Sequence, residues 1–128
     1  LLYIHENKTA ALIQSSLMIG AQLAGADDAQ LSRLEEIGTR IGLAFQIQDD
    51  ILDLTSSLEV LGKQTGSDLK NHKVTYVSLN GMERSIEEVR RLSEEAITGL
   101  ASFSLAGKET VRNEFLEALV EDLITRKK

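Results

Sequence analysis

At 128 residues, with no cysteine and no proline, the chain is one domain at most, or a piece of one, with room for only a modest core. The lack of cysteine excludes a disulfide framework and fits a reducing compartment. A net charge of −6 disfavours general nucleic-acid binding, which needs a basic face to displace counterions from phosphates.

No apolar run is long enough to cross a bilayer and no basic-then-apolar leader is present, so a soluble, cytoplasmic protein is expected. The first residues, Leu1-Leu2-Tyr3-Ile4, lack an initiator methionine, and the chain is expected to be a fragment of a longer polypeptide.

Every long segment reads as helix and strict two-residue alternation is absent, which predicts an all-α fold. The first helix is expected from about Thr9 to Leu23, with Thr9, Leu12, Ile13, Ser16, Leu17 and Gly20 on one face and Gly25 ending it. Asp27 or Asp28 caps a second helix that runs through Leu31, Leu34, Ile37, Ile41 and Ala44 to about Leu54. Gly38 and Gly42 lie inside it, each at a cost of roughly 1 kcal/mol relative to alanine. Gly42 falls one turn before Gln46, and either room for a ligand or a close-packed neighbour accounts for it.

The second helix carries the chemistry. Gln46, Asp49, Asp50 and Asp53 stand at i, i+3, i+4 and i+7, so all four project from one narrow stripe. Three like charges there repel, and near the expected C-terminal end of the helix the macrodipole disfavours them further. A hard divalent cation offsets this, and Mg2+ is usually held by one or two carboxylates, several waters and the phosphates of a substrate. A solvated acidic stripe is the alternative. Phe45, Ile47, Ile51, Leu52 and Leu54 cover most of the remaining circumference, which favours a cavity wall over an open surface.

Thr55 to Leu61 is expected to be a short turn or helix closed by Gly62, followed by a polar loop from Lys63 to Lys73. A short helix fits Thr75 to Asn80, stopped by Gly81. The next runs from about Met82 to Leu100 along Met82, Ile86, Val89, Ala96 and Leu100. The last runs from about Lys108 to Arg126 along Val111, Phe115, Leu119 and Leu123. Glu87-Glu88 and Glu94-Glu95 sit among Arg84, Arg90 and Arg91, as solvated ion pairs would.

The order of parts now matters more than any one of them: Lys8-Thr9, then Gly42-Leu43-Ala44-Phe45-Gln46 leading into Asp49-Asp50-Ile51-Leu52-Asp53, then Gly62-Lys63, Asp68, and Lys73-Val74-Thr75-Tyr76. This set resembles the trans-prenyl diphosphate synthases over nearly the whole chain, and looks like the C-terminal portion of a bacterial short-chain member. The resemblance implies that residues 1–128 are the C-terminal part of a single isoprenoid-synthase helical bundle. In that family two aspartate-rich helices face each other across a cavity and hold Mg2+ on an allylic diphosphate. Asp49, Asp50 and Asp53 match the second motif, and the first would lie upstream of Leu1.

The implied reaction ionises an allylic diphosphate (dimethylallyl or geranyl), lets isopentenyl diphosphate attack the carbocation, and releases a proton. Lys8, Lys63 and Lys73 match the family's diphosphate-binding lysines. The Gln46 carbonyl and the Thr9 oxygen match groups that face the carbocation, although Thr9 capping its helix and Gln46 bonding a neighbouring backbone are alternatives. Asp68 matches an acid near the lysine loop. Arg126, Lys127 and Lys128 are expected to form an unstructured, solvated tail, and the alternative is closure over the isopentenyl diphosphate site, as basic C-terminal tails do in some members of the family. One departure is Val77, where the family usually has proline. The resemblance implies a homodimer when intact and an inactive isolated fragment, and a non-catalytic prenyl-synthase-like subunit is the competing reading.

Overall fold

The computed structural model describes residues 2–61, 75–103 and 114–126, with the backbone alone for residues 2–7 and 59–61. Five helices follow in chain order: α1 Leu2–Leu23, α2 Asp28–Leu61, α3 Tyr76–Asn80, α4 Met82–Ser102 and α5 Glu114–Thr125. Among the described residues every regular element is a helix, in keeping with the all-α reading. No helix among them is long and apolar enough to cross a membrane.

The α1–α2 turn is built from local rules. Gly25 takes φ +93°, a left-handed conformation that favours glycine. The Ala26 amide donates to the Ala21 carbonyl at 2.9 Å and the Gly25 amide to the Gln22 carbonyl at 3.1 Å, a pair that satisfies two carbonyls in the last turn of α1. Asp27 then caps α2: its Oδ1 accepts from the Gln30 amide at 2.8 Å, while the Gln30 side-chain oxygen accepts from the Asp27 amide at 2.8 Å. The expected cap is therefore present, two residues after the glycine.

α2 is the central element, and α1 and α4 both pack against it in antiparallel register. On one side the backbone at Gly38 abuts Gln14 and that at Gly42 abuts Ala10. On another, Arg33 donates to the Ser102 hydroxyl and Arg40 Nε to Glu95 Oε2 at 2.9 Å. The buried core runs along α2 through Leu34, Ile37, Ile41, Ala44, Ile47 and Ile51, and α4 meets it with Val89, Leu92, Ala96 and Leu100. Val77 from α3 and Val120 and Ile124 from α5 complete the cluster.

Four boundaries or faces differ from the sequence expectation. α1 begins at Leu2, seven residues before Thr9, so Thr9 lies inside the helix and does not cap it. α2 continues through Thr55 to Leu61 without the expected break. The Thr55 hydroxyl donates back to the Ile51 carbonyl at 2.8 Å, which lets a polar residue ride the helix. Asp53 therefore stands about two turns before the helix end, too far for the macrodipole to act strongly on it.

On α4, Ile86 is 52% exposed and Ser85 is buried in its place, its hydroxyl donating to the Gly81 carbonyl at 2.7 Å. On α5 the buried residues are Glu117, Val120 and Ile124, while Phe115 is 78% and Leu119 44% exposed. The core-facing stripe of α5 is thus rotated from the one drawn through Phe115 and Leu119. Val111 lies outside the described residues.

Candidate functional site

The acidic stripe lies on the second half of α2, where Gln46, Asp49 and Asp50 are half-buried and Asp53 is exposed. Ile47 and Ile51, interleaved with these residues, are buried in the core and fix the stripe's orientation. The close approach of α1 sets what stands beside it. A Cβ added at Gly42 would lie 2.8 Å from the Ala10 Cβ and 2.9 Å from its Cα, so the glycine serves a close-packed neighbour. That crossing brings the α1 turn carrying Lys8 and Thr9 up to the turn of α2 that precedes Gln46. Thr9 is half-buried and Lys8 exposed.

The stripe already engages a cation. Arg126, the residue after α5, donates from Nη2 to Asp49 Oδ1 at 3.0 Å. Its guanidinium carbon stands 3.9 Å from the centroid of the Phe45 ring. Phe45 and Asp49 are one turn apart on α2, so ring and carboxylate form a two-part seat for the guanidinium. Arg126 Nη1 also donates to the Leu123 carbonyl in the last turn of α5. The expectation of a solvated tail is therefore corrected for Arg126, whereas Lys127 and Lys128 lie outside the described residues. Sequence reasoning missed this contact because it joins residues far apart in the chain and obeys no local spacing rule.

Lys63, Asp68 and Lys73 fall in the segment 62–74, outside the described residues. The short helix α3, just beyond that segment, is well defined. Thr75 accepts from the Ser78 amide at 3.1 Å and the Ser78 hydroxyl oxygen accepts from the Thr75 amide at 2.8 Å, a reciprocal cap. This cap holds the helix start where Val77 replaces the family's usual proline, and Val77 itself is buried at 4% exposure.

Among the described residues no group of three or more histidine, cysteine, aspartate or glutamate side chains converges as a complete metal cage. One wall of carboxylates is nonetheless the donor set that suits Mg2+, which takes a few hard oxygens from protein and the rest from water and phosphate.

A second polar region is set apart from this one. Arg33, Glu36, Arg40, Glu94, Glu95 and Ser102 line an open groove of about 410 Å3 between α2 and α4. Its arginines are already used in the Arg33–Ser102 and Arg40–Glu95 contacts. Further out on α4, Arg90 pairs with Glu87, and Arg91 with Glu88 and Glu95. The hydrogen bond from Arg91 holds the Glu88 carboxyl below the usual carboxylate range. Glu88 in turn pushes the Arg91 guanidinium above its ordinary value. These are the expected solvated ion pairs and lie within α4, whereas the Arg33–Ser102 and Arg40–Glu95 contacts tie α4 to α2.

A family model described as polyprenyl synthetase matches residues 1–112. The chain is 48% identical over 101 residues to a chloroplastic geranylgeranyl pyrophosphate synthase of Catharanthus roseus, a stretch covering 79% of this chain and 28% of the relative. It is 42% identical over 126 residues to a chloroplastic geranylfarnesyl diphosphate synthase of Leucosceptrum canum, covering 98% and 33%. A dimethylallyltranstransferase of Fischerella ambigua (strain UTEX 1903) is 46% identical over 101 residues, covering 79% and 29%. The chain thus spans about a third or less of the length of the curated relatives it matches.

Proposed function

We propose, because this chain belongs to the polyprenyl synthetase family, that it forms one wall of a prenyltransferase site, which condenses an allylic diphosphate with isopentenyl diphosphate. The observation that carries this reading is the carboxylate stripe of α2, with Asp49 already engaging a cation beside the α1 crossing.

In this reading Asp49, Asp50 and Asp53 hold Mg2+ through hard carboxylate oxygens. When bound, the ion supplies Lewis-acid stabilisation to the departing diphosphate. Lys8, Lys63 and Lys73 bind the same diphosphate oxygens with charge-assisted hydrogen bonds, so negative charge is met as it develops. Gln46 and Thr9 turn neutral oxygens toward the allylic carbocation, stabilising it by their dipoles without trapping it. Ala10 against Gly42 sets the separation between the Thr9 and Gln46 turns.

The opposite wall, with the first aspartate motif, belongs in this proposal to a preceding part of the same polypeptide, absent from residues 1–128. Support comes from the surface of α1, where Leu12, Ile19 and Leu23 are 61%, 58% and 85% exposed and form an apolar face suited to burial. A homodimer is the proposed assembly when intact. A cytoplasmic location stays part of the proposal, although the relatives from C. roseus and L. canum are named as chloroplastic.

The test uses the longer polypeptide that contains this chain. Asp49→Ala and Asp53→Ala should each lower prenyl transfer about a hundredfold or more, with helical content and melting temperature preserved. Full activity in both variants would refute the assignment. Lost activity accompanied by unfolding on chelation would identify a structural cation site instead.

A further inference from the structure

We propose that Arg126 is a tethered counter-cation, a latch that occupies Asp49 until a divalent cation displaces it. The inference rests on the reading of Asp49 as a metal-holding carboxylate and adds a competitor from within the chain.

Three observations carry it. Arg126 Nη2 lies 3.0 Å from Asp49 Oδ1, and its guanidinium carbon lies 3.9 Å from the Phe45 ring centroid, so two consecutive turns of α2 hold one cation. The base of the latch is fixed, because Val120 and Ile124 bury α5 in the core at 3% and 1% exposure. The contact itself is accessible, with the Arg126 and Asp49 side chains 25% and 45% exposed.

Charge decides how the latch opens. A guanidinium and a divalent cation repel at contact distance, so each weakens the other's hold on one carboxylate. Metal entering at Asp49 therefore competes with Arg126, which stays tethered beside the stripe by α5. Without metal, the same arginine offsets the mutual repulsion of the carboxylates along the stripe.

The size of the effect is bounded by what the metal must displace, namely a half-exposed ion pair and a partly desolvated cation–π contact. Together these weaken metal binding by about three- to thirtyfold.

The experiment is a titration of the longer polypeptide that contains this chain with Mn2+, an EPR-visible substitute for Mg2+, in the wild type and in Arg126→Gln, Phe45→Leu and Asp49→Asn. The expected result is tighter Mn2+ binding in Arg126→Gln by about three- to thirtyfold, a smaller tightening in Phe45→Leu, and loss of the site in Asp49→Asn. If Asp49→Asn removes the site but Arg126→Gln binds Mn2+ equally or more weakly, the latch is refuted and the metal-holding role of Asp49 stands. Mn2+ binding that is absent, or indifferent to Asp49→Asn, refutes the metal-holding role and the latch with it.

Discussion

Gly42 determines how near α1 comes to the acidic stripe. A side chain there would strike the Ala10 backbone, with the added Cβ 2.9 Å from its Cα. Overpacking of this kind costs about 1–3 kcal/mol, more than the roughly 1 kcal/mol that alanine gains over glycine in a helix. Gly42→Ala is therefore predicted to lower the urea midpoint. Gly20→Ala, where an added Cβ meets nothing within 4 Å, should raise it by up to about 1 kcal/mol of stability. A Gly42→Ala variant as stable as the parent would show that the α1 crossing yields easily. At this scale the sequence was most legible where rules are local. Gly25, the Asp27 cap and the Thr75–Asn80 helix depend on residues within a few positions of each other. The Arg126–Asp49 contact is tertiary, and no periodicity encodes it.

Among the elements, α2 and α5 show where pattern reading stops. The Thr55-Ser56-Ser57 run looks like a break because such side chains compete for backbone hydrogen bonds, yet Thr55 bonds back to Ile51 and the helix continues. α5 carries more apolar residues than one face can bury. The larger ones, Phe115 and Leu119, drew the stripe to the wrong side, and Glu117 took a core-facing position at 6% exposure.

The outer face of α4 gives a pH prediction. Glu88 has a folded pKa depressed by the Arg91 hydrogen bond, so its contribution to stability is complete above the unfolded carboxylate value and fades as pH falls through the folded one. Glu88→Gln should therefore leave the melting temperature slightly lower at neutral pH and equal to the parent in strong acid. An acid limb of unchanged shape would show that the pair is screened away. The N-terminal cap of α2 offers a stronger lever: Asp27→Ala should destabilise by about 0.5–2 kcal/mol in a denaturant titration.

Among the described residues, the apolar stripes of α2 and α4 form the core, beside an acidic stripe on α2 and exposed apolar residues on α1 and α5. Helical patterning without two-residue alternation indicated an all-α unit, and the ordered motifs indicated a prenyl synthase, the family to which the chain belongs. The lysines at 63 and 73, on which the diphosphate reading depends most, lie in the segment outside the described residues, so their place beside the stripe rests on the resemblance. A site with one wall has ligands on one side only, and its proposed chemistry needs metal ions gripped from two. The most direct test measures condensation of geranyl diphosphate with radiolabelled isopentenyl diphosphate in Mg2+, comparing the isolated chain with the longer polypeptide that contains it. The account predicts product from the longer polypeptide and none above background from the chain alone. Turnover by the isolated chain at a rate near that of the longer polypeptide would contradict it.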